Sequence, residues 1–381
     1  MKIDITQEAL AEAIGVAGRV VSSKSTLPVL SNVLLEVDGT GELAVSGTDL
    51  EIGTRHRVKA ARVFASGSTT LPARLLADYV ALLDQGTNVT LELNQKTHKM
   101  HLECGRQIAN IATIDADDFP PFGSASGMTF SLPAGTLKGA IEQVVFAAAT
   151  DDSRPVLAGV LVQVRNNVLS LAAADGFRLA VRDIALREPT PDLTILVPST
   201  PLKELARILP DEDGEPVTIS VAQNGSAALF AWGPTEIKTR LIEGQFPDYK
   251  RIIPSTSLTT VRISTADVVR ATRASAVFAR DNSNIVRLSA QPETSGAPST
   301  LQVQSTSAEM GDNTGTLEAV VEGESNSIAF NGKYLRDALE AIDTPDVLIQ
   351  VQGPSSPGVI RPTGDLGETT TYVIMPMHVA R

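Results

Sequence analysis

Along this chain an alternating apolar–polar strand gives way to a helical stripe, and the pattern recurs in three places. Ile3-Asp-Ile-Thr-Gln-Glu-Ala-Leu10, Phe130-Ser-Leu-Pro-Ala-Gly-Thr-Leu137 and Val261-Arg-Ile-Ser-Thr-Ala-Asp-Val268 each read as a short strand, a polar cap and a helix start. Leu10 and Leu137 are 127 residues apart, and Leu137 and Val268 are 131 apart. A second block repeats at the same offset. Pro28-Val-Leu-Ser-Asn-Val-Leu-Leu-Glu-Val37 lies above Pro155-Val-Leu-Ala-Gly-Val-Leu-Val-Gln-Val164, and Leu43-Ala-Val-Ser-Gly-Thr-Asp49 above Leu169-Ser-Leu-Ala-Ala-Ala-Asp175. In the last third this block weakens to Ile285–Leu288 and Leu301–Thr306. A third block keeps one helical spacing throughout: Leu76, Tyr79, Val80, Leu83; Leu202, Leu205, Ala206, Leu209; Leu335, Ala338, Leu339, Ile342. The i, i+3, i+4, i+7 pattern is the stripe of a helix with one buried face. A strand follows each: Val89–Leu93, Val217–Val221 and Val347–Val351.

A self-similar chain predicts a self-similar object. The first helices are expected near Gln7–Val21, Ala134–Ala148 and Thr265–Ala279, the middle one burying Leu137, Ile141, Val144, Val145 and Ala148. Each unit reads as two helices among about eight strands. Alternation such as Leu34-Leu-Glu-Val37 predicts antiparallel sheets with one wet face, the other covered by the helices. The fold class is therefore α+β, with three similar domains at residues 1–125, 126–256 and 257–381.

Composition narrows the context. The 381 residues support more than one core. No apolar run reaches the roughly 18–20 residues of a bilayer span. The N-terminus opens on a strand pattern, which predicts no signal peptide and a cytoplasmic protein. The single cysteine, Cys104, excludes an internal disulfide framework and reads as a small buried hydrophobe. A net charge of −12 argues against tight non-specific nucleic-acid binding, although it does not report where the charges lie. Basic residues do recur on the helices: Arg19, Lys138, Arg270 and Arg273 on the first of each pair, and Arg74, Lys203, Arg207, Lys333 and Arg336 on the second. Acidic residues are mixed among them, so by themselves they read as solvated faces with i, i+4 pairs.

Several strings carry a resemblance: Ser25-Thr-Leu-Pro-Val-Leu30, Gly47-Thr-Asp-Leu-Glu51, Ala174-Asp-Gly-Phe-Arg-Leu179, Gly244-Gln-Phe-Pro-Asp-Tyr249 and Tyr372-Val-Ile-Met-Pro-Met377. Together with the three-fold repeat, the chain resembles the bacterial sliding clamps, the beta subunits of DNA polymerase III, from its first strand to its last. The resemblance implies a DNA-clamp fold that closes as a ring-shaped head-to-tail homodimer around double-stranded DNA. It implies a processivity factor that tethers the replicative polymerase, the clamp loader and other proteins bearing the clamp-binding motif. No catalytic residue, metal, cofactor or membrane is implied.

The resemblance also assigns residues. A groove for a peptide of the Gln-Leu-x-Leu-Phe type maps onto Leu157, Asp175, Gly176, Phe177, Arg178, Leu179, Pro247, Arg251, Ile252, Val373, Ile374, Met375, Pro376 and Met377. Met and Leu side chains suit an adaptable apolar groove, with Arg178 and Arg251 as bordering donors. Phe177 and Ala174 depart from the commoner His and Thr, which makes the wall more apolar, and His378 stands where Arg is common. Contact with DNA maps onto Lys24 and Arg154, together with the helix residues Arg74, Lys138, Lys203, Arg207, Arg270, Arg273, Lys333 and Arg336. The dimer contact maps onto Arg106, Ile108, Ala109 and Ile111 at one edge, with Val277 and Phe278 opposite. Ala109, where a relative has an aromatic, implies a smaller hydrophobic contact and easier ring opening.

Two other readings remain on the residues alone. An enzyme would draw on Asp49 with Glu51, or on Asp115, Asp117 and Asp118. Asp49, however, recurs as Asp175, which points to a turn, and no P-loop, Gly-x-Ser-x-Gly or dinucleotide fingerprint is present. A scaffold repeat protein would share the three domains without needing ring closure or a peptide groove.

Overall fold

The computed structural model describes residues 1–22, 27–123, 125–151, 153–279, 283–307, 309 and 311–378. The first third runs β1 (Lys2–Thr6), α1 (Gln7–Ala17), β2 (Asn32–Val37), β3 (Glu42–Thr48), β4 (Ile52–Lys59), β5 (Arg62–Ala65) and β6 (Gly67–Pro72). It continues through α2 (Ala73–Val80), β7 (Asn88–Asn94), β8 (Lys99–Cys104) and β9 (Gln107–Ala112). The middle third holds β10 (Gly127–Pro133), α3 (Ala134–Val145), β11 (Gly159–Arg165), β12 (Val168–Ala174) and β13 (Arg178–Ala185). After them come β14 (Leu193–Pro198), α4 (Ser199–Ile208), β15 (Pro216–Ala222), β16 (Ala227–Trp232) and β17 (Thr235–Arg240). The last third holds β18 (Thr259–Ser264), α5 (Thr265–Ala279), β19 (Ile285–Gln291), β20 (Thr300–Ser307), β21 (Gly311–Glu318) and β22 (Val320–Gly323). It ends with β23 (Asn326–Asn331), α6 (Gly332–Glu340), β24 (Asp346–Val351), β25 (Gly358–Pro362), α7 (Asp365–Thr369) and β26 (Thr370–Ile374).

The chain packs as two compact units, and both take strands from the middle third. One comprises Met1–Lys138 with Glu204–Leu241. It contains the sheet β5-β1-β7-β8-β9 and the eight-stranded sheet β10-β15-β16-β17-β4-β3-β2-β6. Within it α1 and α2 cover a core built on Ile3, Ile5, Leu10, Ile14, Leu35, Leu43, Leu71, Leu76 and Met100. Gln7 Nε2, itself buried, donates to the Val80 carbonyl oxygen at 2.8 Å, which joins the two helices. Gly47 is required on β3, because a Cβ there would lie 2.1 Å from the Ala17 carbonyl oxygen at the end of α1.

The other unit comprises Gly139–Lys203 with Ile242–Arg381. Its nine-stranded sheet runs β14-β11-β12-β13-β26-β25-β24-β18-β22, and a second sheet runs β21-β20-β19-β23. The recorded strand pairs in both units are antiparallel, as the alternation predicts. Each apolar helix stripe is buried apart from the half-buried Tyr79. Two of the first helices are shorter than the stripe suggests, since α1 passes at Gly18 into a 3-10 turn and α3 ends at Val145 in i→i+3 bonds, whereas α5 spans Thr265–Ala279 as expected. The sequence reading also missed α7 and gave no hint that β21 is long. No helix of the described residues is long and apolar enough to cross a membrane.

Candidate partner-binding groove

The Asp175–Arg178 turn is held by one carboxylate. Asp175 Oδ1 accepts from the Phe177 and Arg178 backbone N–H groups at 2.9 and 3.0 Å. Gly176 sits at φ +94°, and a Cβ there would come within 2.8 Å of Arg154 Nη1. Arg154 Nη2 donates to the Asp175 carbonyl oxygen at 2.9 Å. The turn therefore pushes Phe177 outward, where 58% of its surface is exposed and its ring stacks on Tyr334 of α6 at 6.5 Å.

Arg178 differs from its expected place as a bordering donor. Its guanidinium is almost wholly buried, pairing with Asp175 Oδ2 at 3.0 Å and Asp337 Oδ2 at 2.7 Å. Nη2 also donates to the Phe146 carbonyl oxygen at 2.6 Å, and the guanidinium lies over the Tyr334 ring at 4.5 Å. Burial, aided by the Asp175 charge, pushes the Tyr334 phenol up from its ordinary value. Arg178 thus ties the turn to α6 instead of facing solvent. The cause lies on α6, where Asp337 falls opposite; nothing in the local sequence announces that partner.

The terminal strand completes the site. In β26, Val373 pairs with Leu179 and Ile374 with Arg178. Val373 and Ile374 are buried, and the chain then leaves the sheet at Met375, whose N–H donates to the Phe177 carbonyl oxygen at 2.8 Å. Met375 is 39% exposed, Pro376 and Met377 are half-buried, and the Met377 N–H donates to the Ala329 carbonyl oxygen. Leu157, Leu179 and Val373 belong to one buried cluster with Phe246 and Tyr249, flanked by half-buried Val156, Ile242 and Ile253. Tyr249 opens the 3-10 turn Tyr249–Ile252, so the exposed Arg251 and Ile252 lie in the chain between Tyr249 and Ile253, which both pack in this cluster. Arg251 pairs with Asp248 at 2.9 Å in the open, and Pro247 is exposed beside them. The site is a firm apolar floor with exposed Phe177, Ile252 and Met375 around it. Phe146, Tyr334, Asp337 and the pair Phe246 and Tyr249 were missed as supports; only the string Gly244-Gln-Phe-Pro-Asp-Tyr249 hinted at the last two.

The basic candidates are mostly paired. Arg270 holds Asp267 at 2.5 Å, Arg273 holds Glu340 at 2.8 Å, and Arg336 lies 3.5 and 3.8 Å from Asp337 and Glu340. In the first unit Lys138 holds Asp211 at 2.5 Å, Arg207 pairs with Glu204, and Arg74 lies 3.9 Å from Asp78. Lys333 is exposed, Lys203 is half-buried, and Lys24 lies outside the described residues. Of the edge candidates, β9 ends its sheet with β8 as its one neighbour, and β21 likewise ends the second sheet of the other unit. Ile108 is 61% exposed, Ala109 is half-buried and Arg106 is exposed in the β8–β9 turn. Ile111 departs from expectation: strand alternation turns it into the core, where it is buried. Val277 is exposed and Phe278 half-buried on α5. Cys104 is free and buried.

Family models of the DNA polymerase III beta subunit match the chain in three consecutive stretches. The N-terminal domain matches residues 1–123, the central domain 131–248 and the C-terminal domain 250–378. The chain is 32% identical over 383 residues to the beta sliding clamp of Synechococcus elongatus, covering 100% of both. It is 30% identical over 387 residues to that of Streptomyces coelicolor, again covering 100% of both. The crystal structure of a Pseudomonas aeruginosa sliding clamp bound to griselimycin matches with a TM-score of 0.91 at 30% identity over 100% of both chains. With three matched stretches in family order and full-length relatives, the chain belongs to the DNA polymerase III beta subunit family, the sliding clamps of DNA replication.

Proposed function

We propose that the groove bordered by Phe177, Ile252 and Met375 is where this clamp holds its partners. Like its family, the chain is a non-catalytic processivity subunit of DNA polymerase III. It works as a homodimer encircling double-stranded DNA and binds the polymerase and the clamp loader. The observation that carries the groove is the convergence of Leu157, Leu179 and Val373 into one buried floor beneath exposed apolar side chains. Isolated exposed hydrophobics are ordinary on a protein surface, but a contiguous rimmed set marks an interaction site. A short amphipathic peptide fits it, with apolar anchors in the groove and the thioether side chains adapting to related sequences.

The domain limits follow as 1–125, 126–256 and 257–381, and the working place as the cytoplasm. Dimer closure joins the free edges β9 and β21, because unpaired N–H and C=O rows accept a further strand. DNA is met by Lys24, Arg154 and the helix residues Arg74, Lys138, Lys203, Arg207, Arg270, Arg273, Lys333 and Arg336. The carboxylate partners of Lys138, Arg270 and Arg273 weaken those contacts, which suits sliding rather than base readout.

One loading experiment tests the whole reading. The clamp, loaded on nicked circular DNA, is retained and is shed on linearisation; equal retention on both forms sinks topological tethering. Met375→Ala keeps that retention but weakens a Gln-Leu-x-Leu-Phe peptide by about tenfold or more in calorimetry. Unchanged peptide affinity places the groove elsewhere.

A further inference from the structure

A small donor-rich cavity lies on the same sheet face as the groove floor. It holds about 90 Å³ and is lined by Ser255, Thr256, Gln350, Gln352, Val359 and Arg361, among others. Strand register places it. Across β18, β24, β25, β26 and β13, the directly paired residues are Thr260, Gln350, Val359, Val373 and Leu179. Directly paired residues project from one face, so this is a single row of side chains. Val373 and Leu179 floor the groove, while Gln350 and Val359 line the cavity. With strands about 4.8 Å apart, Gln350 lies about 10 Å from Val373. Another wall of the cavity, Ser255–Ser257, follows closely after Ile252 in the chain.

The cavity's chemistry is one-sided. No Asp or Glu lines it. Among the described residues the Arg361 side chain has no hydrogen-bond or ion-pair partner, and its Nε is buried and unbonded. Buried polar groups are nearly always paired, so an orphan guanidinium nitrogen needs an explanation. By contrast, Arg178, Arg251, Arg262, Arg270 and Arg273 of the same unit each hold a carboxylate. Gln352 Nε2 donates to Thr256 Oγ1 at 2.7 Å, which leaves the Thr256 hydroxyl hydrogen free to donate. A volume of 90 Å³ equals about three waters at ~30 Å³ each, enough for one carboxylate or phosphate head and too little for a nucleotide.

We propose that this cavity is an oxyanion subsite of the partner groove, taking the side-chain carboxylate of an Asp or Glu in the bound peptide. The inference rests on the groove reading above. Arg361 supplies the charge, with Thr256 and Gln350 as flanking donors. An extended chain advances about 3.3–3.6 Å per residue, so the acid sits about three residues from the side chain seated over Val373.

The test uses the full-length protein and a Gln-Leu-x-Leu-Phe peptide lengthened by alanines at both ends, with Glu placed at each added position in turn. One position about three residues from an anchor is expected to bind about tenfold more tightly than the neutral parent. That gain vanishes in Arg361→Gln and in 1 M salt, while the neutral parent binds both proteins alike. No gain at any position, or a gain that survives Arg361→Gln, overturns the subsite. Failure of the neutral parent to bind wild type overturns the groove itself. Inorganic phosphate is the second arm: thermal protection by phosphate with no Glu position gaining makes this a free-ion site and overturns the peptide assignment. Should Arg361→Gln not fold, Thr256→Val replaces it, and an undiminished gain there counts against the proposal.

Discussion

Asp49 and Asp175 occupy the same place in two copies of one turn. Asp49 Oδ1 accepts from the Glu51 and Ile52 N–H groups at 3.0 and 2.9 Å, as Asp175 Oδ1 does from Phe177 and Arg178. The repeat foretold this shared role, and with it the weakness of any catalytic reading. The copies differ at the next residue, where Gly176 takes φ +94° freely but Leu50 is held at φ +80°. A left-handed residue with a Cβ costs about 1–2 kcal/mol, partly offset by the entropy lost in fixing glycine. Leu50→Gly is therefore expected to gain up to about 1 kcal/mol in urea unfolding, and Asp49→Ala to lose about 1 kcal/mol. His56 gives a pH dependence. Its ring is buried against Thr235 Oγ1 at 2.8 Å, and burial lowers its pKa below the ordinary 6.5. Glu12, 3.6 Å away, pulls the other way but is largely exposed and screened. Below pH 6.5 the unfolded chain takes up this proton before the folded one does, so stability is lost as pH falls toward the depressed value. The urea midpoint should fall between about pH 7 and 5 in wild type, and with a shallower slope in His56→Gln.

At the scale of elements, helix faces were the most legible part. Periodicity alone named the buried residues of the second helices, because a one-faced helix must place its apolar side chains at i, i+3, i+4 and i+7. Helix ends were less legible, since Gly18 and the three alanines after Phe146 decide them through local bonding. Long-range pairing was illegible. Arg178 reads as an exposed donor until α6 brings Asp337 to 2.7 Å. Removing one partner of a buried, multiply bonded pair strands the others. Arg178→Ala is expected to destabilise by about 3 kcal/mol in urea unfolding and to loosen the Phe177 turn. A loss below about 0.5 kcal/mol would show the pair to be decorative.

At the scale of the molecule, the edge strands β9 and β21 matter most for assembly. Ile108 stands exposed on β9, and Ala109 and Ile111 turn inward, so the hydrophobic part of this edge is small. Ile108→Lys is expected to weaken the dimer about tenfold or more by sedimentation while leaving the urea unfolding of the protomer nearly unchanged. A dimer as tight as wild type would move the contact off this edge. The charge balance also changes meaning at this scale. A net −12 coexists with basic helix residues whose carboxylate neighbours moderate them, so contact with DNA can stay weak and mobile.

By itself the sequence determined the strand and helix periods, the three-fold repeat, the family and the strings from which the groove is built. These are local or self-similar signals, and each is written in a short window. Only the tertiary structure decided that Arg178 is a tie between turn and helix, that Ile111 is core, that Tyr334 backs Phe177, and that Arg361 stands without a partner on the face of the groove floor. The physical reason is that such partnerships join residues up to 159 positions apart, as Arg178 and Asp337 are, and depend on register and packing that no short window of sequence contains.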